Sequence, residues 1–74
     1  MNDFFEKEAV YIEWRGKKML LAEGIDALLS YHEKEIILGA SGQKLSVRGD
    51  NLEMKYLSDD RIAIVGTILA VSYV

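Results

Sequence analysis

The sequence predicts a small all-β protein, an antiparallel sandwich or barrel of about seven to eight short strands. Three observations predict it. From Val10 onward, apolar residues recur with a period of two, the spacing that sets alternate side chains on one face of a strand. Turn-forming stretches interrupt this alternation at short intervals: "RGK" at 15–17, "HEK" at 32–34, "GASG" at 39–42 and "SDD" at 58–60. A strand–glycine–strand unit also occurs in three copies. No segment sustains a capped helical period, and the chain has no proline.

The elements follow in order along one domain, 1–74, whose residues 1–9 form an N-terminal segment. In "DFFEKEAV", Asp3 with Glu6 three residues on fits the capping pattern of a short helical turn. Val10, Ile12 and Trp14 then alternate with Tyr11 and Glu13 as a first strand, and "KMLLA" returns after the turn. "ALLSY" and "EIIL" are the next pair, and "GASG" leads into "KLSVR". "NLEMKYL", "RIAIVG" and "TILAVSYV" complete the set.

The repeat is visible once Gly24, Gly49 and Gly66 are set in register. Four residues before each glycine stand Leu20, Leu45 and Ile62, and two before stand Ala22, Val47 and Ile64. Three after stand Ala27, Leu52 and Leu69, and five after stand Leu29, Met54 and Val71. Seven after stand Tyr31, Tyr56 and Tyr73. Apolar residues at steps of two on both sides of a glycine describe a strand that bends or turns there and continues, because glycine tolerates positive φ and bulges. The glycines are unevenly spaced along the chain, unlike those of a regular solenoid. The three tyrosines are expected to cap the margins of the core with their hydroxyls at the rim; the rival reading is a ligand surface.

Half of the residues are hydrophobic and 28% are charged, a globular composition. A domain this small buries a limited share of its surface and often draws support from disulfides, a metal or a partner subunit. The chain has no cysteine and one histidine, which leaves self-association as the available support. The net charge of −3 and pI near 5.0 run against nucleic-acid binding, which needs a basic face. "MNDFFEKEAV" lacks the basic and apolar regions of a signal peptide. The apolar runs are shorter than the roughly 20 residues of a spanning helix. The expected location is the cytoplasm.

No constellation calls for chemistry: the expectation is no catalytic residue, no cofactor and no metal. His32 falls in a turn beside Glu33, with no nucleophile at triad spacing. Asp59 and Asp60 suit a hairpin turn better than a calcium site. "RGDN" at 48–51 contains turn residues. Arg15, Lys17 and Lys18 suit a charged hairpin tip that blunts strand-to-strand aggregation. The stretch "TILAVSYV" is different, because it is apolar on both faces. Ile68, Leu69, Val71 and Tyr73 are therefore the candidate interface of a homo-oligomer, with a dimer favoured by the prevalence of two-fold assemblies.

The stretch from "GIDALLSYHEKEIIL" through "GQKLSVRGDNLEMKYL" to "RIAIVGTILAVSY" resembles the YabP/YqfC family of sporulation proteins. Gly24, Ile25, Leu28, Ser30, Tyr31 and Glu33 fill the family's first motif. Gly42, Leu45, Val47, Gly49, Leu52, Met54 and Leu57 fill the second, and Ile64, Gly66 and Ile68 the third. "RGDNLEMKYL" is similar to the YabP branch. His32 stands where the family usually has an acidic residue, and Ala22 where it often has a larger one. The resemblance implies a non-catalytic assembly or adaptor protein of endospore formation, acting at the cortex and coat stage in the mother cell. Its partner would be an unidentified sporulation protein, soluble or membrane-bound. The alternative is a small β-barrel that binds a small ligand or nucleic acid, which would need a basic, aromatic-lined face.

Overall fold

A computed structural model describes residues 10–74; the helical turn expected around Asp3 lies outside the described residues. Six strands follow one another: β1 (Tyr11–Arg15), β2 (Met19–Glu23), β3 (Ala27–His32), β4 (Glu35–Ala40), β5 (Gln43–Ser58) and β6 (Arg61–Tyr73). They form one open sheet in the order β1-β2-β6-β5-β4-β3, with every neighbouring pair antiparallel. No helix occurs among the described residues.

The all-β, antiparallel expectation holds, but in place of the expected sandwich or barrel the strands form one open sheet, and the strand count is lower than expected for a definite reason. "KLSVR" and "NLEMKYL" are one strand, β5, and "RIAIVG" and "TILAVSYV" are one strand, β6. Their glycines bend the strands without ending them. The register between β5 and β6 slips between Arg48 and Gly49, between Asp50 and Glu53, and again between Tyr56 and Ser58. Such bulges add an unpaired residue, sharpen the twist and turn the strand while the ladder resumes beyond. At the bend Asn51 has a φ of 54° and Gly66 a φ of 132°.

The bends divide the sheet into two arms. The first holds β1, β2, residues 61–65 of β6 and residues 53–58 of β5. The second holds β3, β4, residues 43–48 of β5 and residues 68–73 of β6. The chain passes from one arm to the other three times: after Gly24 (φ 87°), at Gly49–Asn51 and at Gly66. The threefold glycine pattern thus marks three crossings between arms. Each crossing is preceded by the two residues that the repeat sets at fixed distance. Leu20, Ala22, Leu45, Val47, Ile62 and Ile64 are all buried, and they join Ile36, Leu38 and Ile68 in one cluster fed by both arms. Removing this apolar surface from water, at about 25 cal/mol per Å², holds the arms together.

The two outer hairpins lock the bends. The β1–β2 turn offers the carbonyls of Lys18 and Lys17 to the N–H groups of Gly66 (3.2 Å) and Ile68 (2.7 Å). The β3–β4 turn offers the carbonyls of Lys34 and Glu33 to the N–H groups of Gly49 (3.0 Å) and Leu52 (2.8 Å). Amides that lose ladder partners at a bulge are satisfied in this way, as backbone donors away from water must be. The β5–β6 turn does the same for the first crossing: the Asp60 carbonyl accepts from Gly24 (3.0 Å) and Ile25 (3.1 Å). The β4–β5 hairpin closes through Ser41 (φ 54°) and Gly42 (φ 77°), the paired positive φ values of a type I′ turn.

Candidate functional site

The surface that stands out is the outer edge of β6 from Ile68 to Tyr73. β2 pairs with β6 only over residues 61–65, so beyond Ile68 no described strand lies on that side. The carbonyl of Lys44 takes the Val74 N–H at 2.9 Å, which turns the backbone groups of Val74 toward β5. Alternation along the strand then turns those of Ser72 and Ala70 the same way, and those of Val71 and Tyr73 outward; the carbonyl of Leu69, the extra residue of the bulge, also faces outward, opposite the inward Ala70 N–H across their shared peptide. The bulge opposite Gly49 sets this phase, since Ile68, on its other side, donates outward to Lys17.

The edge is apolar. Leu69 and Tyr73 are each 59% exposed and Val74 is 69% exposed, while Val71 is half-buried. Residues 66–74 carry no charge. Ile68, expected at the interface, is fully buried; it supports the edge from within the core and does not line it. An open depression of ≈ 550 Å³ adjoins the edge between Ile37, Lys44, Tyr73 and Val74.

β3, at the far side of the same arm, was not singled out by sequence reasoning. All six of its residues are exposed, with Leu28, Leu29 and Tyr31 among them. The signal was present in "ALLSYH", which has no acidic or basic residue other than His32. This edge is broken midway by a register slip between Leu28 and Ser30, whereas the bulge of the β6 edge lies at its inner end, between Ile68 and Ala70.

The three tyrosines face the core side at its margins. Tyr31 pairs across with Ile36, and Tyr56 and Tyr73 pair with Ile62 and Leu45; each of these partners is buried. The rings themselves are about half or more exposed. Their roles differ: the Tyr31 hydroxyl accepts the Met54 N–H at 2.8 Å and so ties the second arm to the first. They sit on β3, on the far half of β5 and at the end of β6.

The residues weighed for chemistry hold structural positions. His32 Nδ1 accepts the Lys34 N–H at 3.2 Å within its own turn. Asp59 and Asp60 form the β5–β6 turn. Arg15 bonds Glu13 at 2.7 Å, which holds the Glu13 carboxyl below the usual carboxylate range. Lys34 bonds Asp50 at 3.0 Å, and that bond raises the Lys34 ammonium above the usual lysine range. Within the "RGDN" stretch, Asp50 makes this pair, Gly49 fills the bend and Asn51 turns it. The Ser46 hydroxyl donates to Glu35 at 2.7 Å. Among the described residues no group of three or more His, Cys, Asp or Glu is placed to hold a metal ion. Among the described residues no helix is long and apolar enough to cross a membrane. A cleft of ≈ 250 Å³ lies between Ile25, Leu38, Met54 and Ile62, below the roughly 300–1,000 Å³ of small-molecule sites.

No curated protein matches the chain. A sequence model described as the YabP family matches residues 6–74, which takes in every strand, all three crossings and the apolar edge. The chain belongs to the YabP family, and is thereby a sporulation-associated protein.

Proposed function

We propose that this protein is a non-catalytic assembly or adaptor protein of endospore formation, working in the mother-cell cytoplasm through protein–protein contacts and as a homodimer. Family membership supplies the setting. The observation that carries the molecular reading is the uncharged, apolar and unpaired edge at Leu69, Val71 and Tyr73. Exposed edges template pairing with another chain, and proteins that do not use them blunt them with charge.

The reading is tested in sporulating cells and in solution with Leu69→Lys. That side chain is exposed, so the fold tolerates the change, while the charge blocks burial of the edge. The expected outcome is a folded protein of half the parent's mass by light scattering that fails to support sporulation. His32→Ala and the double change Asp59→Asn with Asp60→Asn are expected to sporulate as the parent does. A Leu69→Lys protein that supports full sporulation overturns the assembly reading, and a loss of sporulation in either folded control overturns its non-catalytic part.

A further inference from the structure

Resting on that reading, we infer that the partner of the β6 edge is a second copy of this chain, joined by antiparallel pairing of β6 with itself about a two-fold axis at Val71. The backbone permits this register. The groups turned outward are the N–H and C=O of Val71 and of Tyr73 and the carbonyl of Leu69. A second β6 laid antiparallel along this edge engages them with Val71 opposite Val71, each donating to and accepting from the other, and with each Tyr73 N–H donating to the Leu69 carbonyl of the second copy. One-residue slips present inward-turned groups to outward-turned ones and lose the ladder.

The side chains agree with that register. Val71 and Tyr73 share a face with Val47 and Leu45, their cross-strand partners in β5. That face belongs to the core, so the pairing carries the core across the axis. It sets the exposed Leu69 against the exposed Tyr73 ring, an aromatic–aliphatic pair that suits a sheet. Since residues 66–74 hold no charge, self-pairing opposes no like charges along the strand. A strand that served a charged partner would gain from carrying the opposite sign, and this one carries neither. The two second arms become one continuous eight-stranded sheet, four strands from each copy, with an isologous interface that closes at two copies.

The chain has no cysteine, so single cysteine substitutions read the register directly. Opposed residues of a hydrogen-bonded pair lie about 5.5 Å apart at Cα, within disulfide reach. Under mild oxidation Val71→Cys is expected to yield a disulfide-linked dimer in nearly all molecules. Leu69→Cys and Tyr73→Cys alone are each expected to give at least tenfold less, because neither residue meets its own copy. An equimolar mixture of those two variants is expected to form the mixed dimer. A dimer by light scattering that cross-links equally through all three positions, or through Leu69 or Tyr73 alone, overturns the Val71 axis and leaves self-association standing. A monomer by light scattering at micromolar concentration overturns the pairing itself, while the sporulation phenotype of Leu69→Lys remains a separate measure of the assembly role.

Discussion

The two arms of the sheet share a core but treat their edges in opposite ways. On the first arm, β1 carries Glu13 and Arg15 in an ion pair, and the outer run of β5 carries Glu53 and Lys55. The second arm ends in β3, which is interrupted by a register slip, and in the outer run of β6, which is regular from Ala70 to Tyr73 and uncharged. Both arms meet the same problem, a row of unpaired backbone groups. Two of the edges carry charge and a third is broken midway by a bulge, whereas the β6 edge has its bulge at the inner end only and no charged side chain along the rest. In a sequence with 28% charged residues, that one omission points to use.

The comparison depends on the bends that create the arms, and the largest effects lie there. A Cβ on Gly49 would fall on the carbonyl of Thr67 in the paired strand. A Cβ on Gly66 would lie 2.5 Å from the carbonyl of Asn51, at a φ of 132° that side chains rarely adopt. In both cases the obstacle is backbone, which cannot swing aside. Gly49→Ala and Gly66→Ala are each expected to cost about 3 kcal/mol or more, or to prevent folding. Gly16, which shares a positive φ with Gly66 but has nothing within 4 Å, separates the two causes: Gly16→Ala is expected to cost only about 1 kcal/mol. Urea unfolding of the three variants checks this, and equal costs at all three sites would refute the close-approach argument.

Next in size is the contrast between edges. A lysine placed in the second arm by Leu69→Lys is expected to halve the scattering mass. The same charge placed in the first arm by Tyr11→Lys is expected to leave it unchanged. A mass change in Tyr11→Lys would show that the charged arm also serves as an interface.

Smaller again is the bond that ties the arms together through a tyrosine. Tyr31→Phe removes the acceptor for the Met54 N–H and is expected to cost about 1 kcal/mol. Tyr56, 71% exposed, is a matched control whose change to Phe is expected to leave the urea midpoint unaltered.

Much of this arrangement was legible in the sequence. The apolar residues four and two before each glycine are core residues in all three copies, because burial on one face enforces the period of two. The tyrosines fall opposite core residues for the same reason. What the sequence left undetermined is nonlocal. Whether a glycine ends a strand or bends it depends on whether a partner strand continues alongside, which no local pattern states. The residues after each glycine illustrate the same limit: Leu52 is buried, whereas Ala27 and Leu69 at the equivalent positions are exposed. Position in the sheet, central or marginal, decides between them. Ile68 was grouped with the interface because "TILAVSYV" is apolar on both faces, and only the bulge beside it shows that it turns inward.

The smallest expected effect concerns the exposed pair that accompanies the clasp at the Gly49 bend. The Lys34 carbonyl is bound by Gly49, and its ammonium meets Asp50 at 3.0 Å with both side chains largely in water. The bond to Asp50, aided by its charge, raises the Lys34 ammonium above the usual lysine range. A raised value means that the pair's contribution is complete below the unfolded lysine value and is lost as pH rises through the folded one, so the whole neutral range is insensitive to this group. Exposed pairs of this kind contribute little and are screened by salt. Lys34→Met is therefore expected to move the urea midpoint slightly at neutral pH and low salt, and by nothing measurable in about 1 M salt, where the Debye length is roughly 3 Å. The backbone clasp is unaffected by the substitution, since it uses the carbonyl. A large, salt-independent loss in Lys34→Met would mean that the ammonium, and not the backbone turn, holds the bend.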